Sequence, residues 1–315
     1  MKKRYWIGGL SASALVAAVA AKLLLRPKDA VWEQNREAIF HADYSRFLDV
    51  DGVRIHYQEA GDANAPPMIL IHGFATSNLV WSKVFLDFAA GGFRVIAPDL
   101  LGYGYSDKPR ELDYTIARQA EMVVDFMKEL GVERAVLVGS SYGAAVAVTV
   151  ALDHATMVEK LILVGAVNNN RPTRYLLMRL FGSPIIGDIL SPLLVGSRLL
   201  LRKRMKRVYD KHSWVLDERR VDARHLPLRT RNAHRAIIRT VRRWDAERVS
   251  RDAHLLTQPT LLLWGDTDRE VPLQDGERLH QAIAGSRLIV FRDCGHLPHE
   301  EYPELFTKLV FEFCA

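Results

Sequence analysis

The chain has 315 residues, of which 49% are hydrophobic and 25% are charged, which is enough apolar mass for a large globular core. Its two cysteines, Cys294 and Cys314, show no C-x-x-C spacing and stand in no His or Cys cluster, which disfavours a disulfide framework and a metal site. The net charge of +6 comes without the glycine and aromatic motifs of nucleic-acid binders. We therefore expect no metal, no cofactor and no nucleic-acid partner.

The N-terminal segment, 1–30, does not resemble part of a soluble core. Three basic residues precede an apolar stretch, 5–25, that only Lys22 interrupts. A stretch of this length is typical of a single membrane-anchoring helix, with the Lys22 side chain extended toward the interface. The alternative is a signal peptide with an A-x-A cleavage site at 18–20, which would make the protein secreted or periplasmic. We favour the anchor.

Short apolar runs alternate with amphipathic stretches along most of the remaining chain. The segment 47–59 alternates polar and apolar residues around Asp51-Gly52, which predicts a β-hairpin because this dipeptide accepts the positive φ angles of a tight turn. Six continuously apolar runs follow, as expected of strands covered on both faces of a parallel sheet. These runs are 68–71, 94–97, 135–138, 161–164, 260–263 and 288–291.

Helical spacing occupies the stretches between these runs, and Gly131 is placed to end the first helix. The predicted helices are 115–130, 142–153, 273–284 and 303–313. The alternation of strand and helix favours a mostly parallel, doubly wound α/β sheet. It lapses over 168–250, which we interpret as a helical lid inserted between two parts of the core, 31–167 and 251–315.

The predicted lid is strongly basic. Between Arg171 and Arg251 there are 21 Lys or Arg against 7 Asp or Glu, so the rest of the chain is net acidic. An apolar first half leads into the basic run 202–207. A basic amphipathic helix of this type can lie at an anionic membrane surface. The alternative is a solvated helical face packed on the acidic core.

The clearest indication of chemistry is the run 139–143, Gly-Ser-Ser-Tyr-Gly, which directly follows a predicted strand and opens an Ala-rich helix. This Gly-x-Ser-x-Gly pattern places a serine on a sharp turn, and glycines flank it because side chains there would collide with the neighbouring strand and helix. Ser141, and not Ser140, is centred between the glycines, so Ser141 is the predicted nucleophile. The helix N-terminus behind it favours developing negative charge.

A serine nucleophile requires a base and a group that orients the base. His296 lies in the loop after the last predicted strand, and we prefer it to His299 because Gly295 lets the loop turn tightly. The loop after the preceding strand offers Asp266 and Asp268. We choose Asp268, because the additional turn of loop allows its carboxylate to reach back to the imidazole.

Acyl transfer also requires N–H donors for an oxyanion. The amide of Tyr142, which follows the nucleophile, is one candidate. The second is the amide of Phe74, since Gly73 before it allows the loop after the first parallel strand to approach closely. We interpret His72 as a structural hydrogen-bonding residue and not as a second base.

Together these motifs resemble the α/β-hydrolase superfamily. They are His72-Gly73-Phe74, the runs 99–106, 139–143 and 264–268, and Gly295-His296. The resemblance implies an α/β-hydrolase fold and a triad of Ser141, Asp268 and His296. The chain is most similar to the lid-bearing lipase and esterase branch, including membrane-anchored monoacylglycerol lipases. Epoxide hydrolases and haloalkane dehalogenases share the plan but carry an aspartate as nucleophile, and Ser141 argues against both.

We therefore expect a serine ester hydrolase that cleaves lipophilic, monoacylglycerol-like esters at a membrane surface through an acyl-enzyme. Two alternatives stay open. A carbon–carbon bond hydrolase of ring-cleavage products would use a similar triad on an anionic substrate met by lid arginines. A non-catalytic, membrane-tethered binding protein could have kept the fold.

Overall fold

A computed structural model describes residues 30–170 and 176–315. Eight strands form one sheet in the order β1-β2-β4-β3-β5-β6-β7-β8, in which β2 is antiparallel to both β1 and β4 and all other neighbours are parallel. The strands are β1 (Ser45–Val50), β2 (Val53–Ala60), β3 (Pro67–Ile71), β4 (Arg94–Pro98), β5 (Ala135–Ser140), β6 (Val158–Val164), β7 (Thr260–Gly265) and β8 (Arg287–Phe291). The predicted mostly parallel sheet is confirmed.

Helices cover both faces of this sheet, and each face has its own buried apolar cluster. The core helices are α1 (Trp32–Asn35), α2 (Phe85–Ala90), α3 (Ile116–Glu129), α4 (Tyr142–Asp153), α11 (Leu273–Ala282), α12 (Pro298–Glu301) and α13 (Pro303–Cys314). Helices α3, α4 and α11 contribute to one cluster, whereas α2 and α13 contribute to the other. This burial on both faces explains why the parallel strands are continuously apolar in sequence.

Turn and capping residues define the ends of β1 and α3, and Asp51-Gly52 and Gly131 have the predicted roles. Asp51 and Gly52 have φ angles of 51° and 75° in the turn between β1 and β2. The Thr115 side chain accepts a hydrogen bond from the amide of Arg118 at 3.1 Å and caps α3 at its start. Gly131, with φ of 65°, follows its end.

The chain between β6 and β7 forms six helices in its described part, and we call residues 176–252 the insertion. Its helices are α5 (Leu176–Gly182), α6 (Ile186–Val195), α7 (Arg198–Val208), α8 (Glu218–Leu228), α9 (Ala233–Arg242) and α10 (Glu247–Asp252). The 3₁₀ segment Asp210–Val215 joins α7 to α8. These helices fall within the predicted lid, 168–250, apart from the end of α10, and their action as a lid stays a prediction.

The predicted localisation, a chain anchored in a membrane by one N-terminal helix, requires correction. Within 30–170 and 176–315, no helix is both long enough and apolar enough to cross a membrane. The longest helix described there, α3, has 14 residues, whereas a span needs about 20. Residues 1–29, on which both the anchor and the signal peptide were predicted, lie outside the described residues.

Candidate active site

Ser141 lies in the turn between β5 and α4, in a backbone conformation that non-glycine residues rarely adopt. Its φ and ψ angles are 56° and −114°. A Cβ atom at Gly139 would lie 2.6 Å from the Gly143 carbonyl oxygen, and one at Gly143 would lie 2.2 Å from the carbonyl oxygen of Ile71. The two glycines therefore allow the close approach that holds Ser141 at the top of the sheet, as the sequence pattern predicts.

His296 and Asp268 form a buried hydrogen-bonded pair. The Nδ1 atom of His296 is 2.6 Å from Oδ2 of Asp268, and the side chains are 7% and 0% exposed. The second carboxylate oxygen of Asp268 accepts from the amides of Glu270, at 2.8 Å, and Val271, at 2.9 Å. Asp268 is thus fixed by its own loop, and its bond to Nδ1–H leaves Nε2 of His296 as the basic nitrogen.

Two opposing effects act on the His296 imidazole. Burial is the largest single effect and lowers the pKa of His296, but the carboxylates of Asp268 and Glu270 together raise it, so the pKa is raised overall. Gly165, at the end of β6, packs directly on this pair, since a Cβ there would lie 2.9 Å from the His296 ring. A side chain at residue 165 would displace the imidazole.

Ser141 and His296 line the same cavity, which has a volume of about 70 Å³ and also holds Phe74. The insertion contributes five of its lining residues: Leu201, Arg204, Met205, Val208 and Arg224. The core thus supplies the predicted nucleophile and base, whereas the insertion supplies much of the surrounding wall.

The two predicted oxyanion donors belong to segments next to the nucleophile. A Cβ at Gly73, directly before Phe74, would lie 3.3 Å from the Ser141 Cβ. In the described part of the chain, neither the Phe74 amide nor the Tyr142 amide donates a hydrogen bond. Both donors are therefore available to a ligand, as an oxyanion site would require.

His72 has both ring nitrogens engaged within the fold. Its Nδ1 atom donates to the Gly73 carbonyl oxygen at 2.8 Å, and its Nε2 atom accepts from the Leu100 amide at 2.9 Å. Burial lowers the pKa of His72. These contacts suit a structural residue and leave no nitrogen for a substrate.

His299 and Asp266, the alternatives to His296 and Asp268, lie outside the cavity lining. His299 is fully buried, its ring centroid is 4.4 Å from that of Trp81, and neither ring nitrogen has a hydrogen-bond partner among the described residues. Asp266 accepts from the Cys294 amide at 3.2 Å and so acts within a turn. Neither residue lines the cavity that holds Ser141.

The cavity also contains charged side chains that the sequence analysis did not single out. The Arg224 guanidinium binds Glu300 and the Tyr209 hydroxyl, and all three side chains are buried. Arg204 lies 5.9 Å from the centre of the Phe74 ring, and no carboxylate of the described residues is within ion-pair distance of it. Arg204 thus brings a cation into the cavity, near the Phe74 ring.

No cluster of His, Cys, Asp or Glu within 30–170 and 176–315 has a geometry suited to a metal ion. The groups that the site offers to a substrate include a serine hydroxyl, an imidazole bound to a carboxylate, and backbone amides. Ser141, His296 and Phe74 line the cavity, and Asp268 is hydrogen-bonded to His296.

The chain is similar over most of its length to known hydrolases. The family model described as alpha/beta hydrolase fold matches residues 66–303. YugF, an uncharacterized hydrolase of Bacillus subtilis, is 28% identical over 85% of this chain and 97% of its own length. A 2-hydroxymuconate semialdehyde hydrolase of Pseudomonas putida is 29% identical over 84% of this chain and 92% of its own.

A solved structure extends the comparison. It is a membrane phospholipase A, described as a bacterial virulence factor, that is 25% identical with a TM-score of 0.70. The alignment covers 99% of this chain and 98% of that chain. The proteins similar to this chain thus include a hydrolase named for 2-hydroxymuconate semialdehyde and an enzyme named as a phospholipase.

Proposed function

The chain belongs to the α/β-hydrolase fold family, and on that premise we propose that it is a serine hydrolase of carboxylic esters. One observation carries the proposal. Ser141, on its strained turn, shares a cavity with His296, whose Nδ1 is bound to the Asp268 carboxylate. A nucleophile, a base and an orienting carboxylate are the parts that acyl transfer to serine requires.

The proposed reaction has two steps. Ser141 Oγ attacks the ester carbonyl while His296 Nε2 accepts its proton, and Asp268 stabilises the resulting imidazolium. The amides of Phe74 and Tyr142 bind the oxyanion, and His296 then protonates the departing alcohol. Water, activated by the same imidazole, attacks the acyl-enzyme and releases the acid.

The wall of the cavity favours a lipophilic substrate of the lipase and esterase type, such as a monoacylglycerol. Its apolar lining includes Leu201, Met205 and Val208 of the insertion together with Leu297. The resemblance to a membrane phospholipase A supports the same class. We propose that the insertion acts as the lid of this cavity.

A bilayer surface carrying anionic lipids is the proposed source of this substrate. Leu199 on α7 is 76% exposed, and Lys203 and Lys206 of the same helix are also exposed. Ile185, before α6, is 73% exposed. The basic run 202–207 is less free than its sequence suggests, because Arg202 pairs with Glu218 and Arg207 with Glu270. Leu199 and Lys203 are therefore the residues through which surface binding is best tested.

This surface contact can be measured with vesicles containing phosphatidylserine. The double variant Leu199→Ser with Lys203→Ser should bind such vesicles more weakly, since each basic residue near the surface contributes about 1 kcal/mol. The matched control is Leu255→Ser with Lys308→Ser. It changes an exposed leucine and an exposed lysine that lie outside the insertion. Equal binding by the two double variants would contradict the contact.

A second candidate is a carbon–carbon bond hydrolase of ring-cleavage products. Arg204 lines the cavity and has no ion pair among the described residues, which favours this candidate because such a substrate carries a carboxylate. One relative is named as a 2-hydroxymuconate semialdehyde hydrolase. Arg224 supports it less, since Glu300 already neutralises that guanidinium. Turnover of a dienoate that falls in Arg204→Gln, with no turnover of p-nitrophenyl esters, would select this candidate.

The principal experiment compares wild type with Ser141→Ala on p-nitrophenyl esters and monoacylglycerols of graded chain length. Loss of the nucleophile should lower kcat by about 10⁵-fold or more. Labelling by a fluorophosphonate should disappear in the same variant. Absence of labelling and of turnover in wild type would instead favour the non-catalytic binding protein.

A further inference from the structure

Glu301 holds the backbone on both sides of His296. Its Oε2 atom accepts from the Gly295 amide at 3.0 Å, and its Oε1 atom accepts from the Leu297 amide at 3.3 Å. The Glu301 side chain is 0% exposed. A single buried carboxylate therefore spans the loop that carries the imidazole.

The insertion contributes to the same arrangement. His212, in the 3₁₀ segment Asp210–Val215, places its Nδ1 atom 2.9 Å from Oε2 of Glu301. The amide of His296 itself donates to the carbonyl oxygen of Val208 at 3.0 Å, at the end of α7. The loop is thus bonded to core and insertion together.

The preceding residue secures the helix from which Glu301 projects. Glu300 binds Arg224 of α8 and accepts from the Tyr209 hydroxyl at 2.7 Å. Its carbonyl oxygen accepts from Lys83 at 2.7 Å. Two adjacent carboxylates on α12 therefore have separate tasks, since Glu300 fixes the helix and Glu301 faces the loop.

The Glu301 carboxylate is buried at a cost in folding free energy. A carboxylate without exposure to water is unfavourable unless hydrogen bonds compensate it, and burial raises the pKa of Glu301. Three of its partners are the two amides flanking His296 and the His212 imidazole of the insertion. All three bear on the position of that loop.

We propose that Glu301 is a positioning residue for His296, and that His212 makes this positioning depend on the insertion. The proposal rests on the proposed function of Ser141 and His296. Loss of Glu301 should allow the loop to move, so that Nε2 of His296 is displaced from the serine hydroxyl. Displacements of about 1 Å near reacting groups can lower rates by about 100-fold.

The test is Glu301→Gln, which keeps the shape but leaves one acceptor for two amides. We expect kcat on an ester substrate to fall by about 10-fold to 100-fold with little change in KM. The low-field proton resonance of His296 Nδ1–H should shift or broaden. The control is Glu59→Gln. Glu59 on β2 is partly buried, binds Arg94 at 2.8 Å and does not line the cavity.

His212→Ala provides a second variant that preserves both amide contacts of Glu301. It should reduce kcat less than Glu301→Gln does and should shift the same proton resonance. If Glu301→Gln fails to fold, this variant decides the question, and an unchanged resonance and kcat would overturn the proposal.

The outcomes separate this proposal from the proposed function. If ester turnover depends on Ser141 but Glu301→Gln matches Glu59→Gln in kcat and in the His296 resonance, only the positioning role is wrong. If wild type shows no Ser141-dependent turnover, the proposed function fails, whereas the resonance still reports whether Glu301 holds the imidazole.

Discussion

Two histidine–aspartate pairs of nearly equal geometry lie in different parts of the core. His296 and Asp268 are 2.6 Å apart beside the cavity of Ser141, and His56 and Asp99 are 2.7 Å apart near the hairpin of β1 and β2. Both pairs use Nδ1 of the imidazole and one carboxylate oxygen. The hydrogen bond within the pair therefore does not distinguish a catalytic site from a structural one.

The difference lies in what faces the second ring nitrogen. Nε2 of His56 is 3.1 Å from the Ser45 hydroxyl, and the Asp99 carboxylate also accepts from the amides of Asn78 and Tyr105. Every polar atom of that pair is enclosed and satisfied. The His296 ring instead borders a cavity that contains an alcohol in a strained backbone conformation.

Among these variants, Asp268→Asn should show the largest change, which is a loss of kcat. The variant presents the wrong hydrogen-bonding partner to Nδ1–H, so His296 loses the tautomer that a base needs, and kcat should fall by about 10⁴-fold. Steady-state kinetics on an ester substrate measure this loss. A kcat within about 10-fold of wild type would contradict a catalytic role for the His296–Asp268 pair.

Asp99→Asn should act on stability instead. Breaking a fully buried pair leaves unmatched polar groups, and we expect the free energy of unfolding to fall by about 3–5 kcal/mol. Urea denaturation gives this value, and kcat per folded molecule should stay near that of wild type. A large loss of kcat with unchanged stability would show that the two pairs had been assigned the wrong way round.

His299→Phe should change how stability depends on pH. Burial lowers the pKa of His299 to about 3, so the unfolded chain binds a proton below pH 6.5 that the folded chain does not. Stability is therefore lost as pH falls from about 6.5 toward 3, and at pH 5 the loss is about 2 kcal/mol. The variant removes this loss, so its stability relative to wild type should rise between pH 8 and pH 5 in urea titrations.

The smallest expected effect is on the acid side of the pH profile of kcat/KM. Because the carboxylates of Asp268 and Glu270 together outweigh burial and raise the pKa of His296, the imidazole keeps its proton to a higher pH than usual. The value of kcat/KM should thus decline as pH falls through a pKa above 6.5. A limb clearly below pH 6.5 would contradict the electrostatic assignment of this pair.

The core could be predicted from sequence because its signals are local. Each predicted parallel strand overlaps an observed one, and the nucleophile turn follows β5 as expected. The main difference is in β6, which begins at Val158 and not at residue 161. Lys160 lies within this strand, and its ammonium binds the carbonyl oxygens of Phe313 and Cys314, a contact that a sequence pattern does not reveal.

The surroundings of the site could not be predicted in the same way. Arg224 and Glu300 are 76 positions apart in sequence, and a charged residue on an amphipathic helix is ordinarily a solvated one. Glu301 likewise acts through backbone amides, which carry no sequence signal. The only available hint was three consecutive titratable residues, 299–301, directly after the predicted base.

The hydrogen bonds between the insertion and the histidine loop affect how this enzyme scaffold could be re-engineered. Ser141, Asp268 and His296 all stand on core loops, so a chimera that received another relative's insertion would retain them. It would lose the Val208 carbonyl oxygen, which accepts from the His296 amide, and His212, which contacts Glu301. A graft that preserves residues 208–212 should therefore transfer a new substrate range with less loss of turnover than one that replaces them.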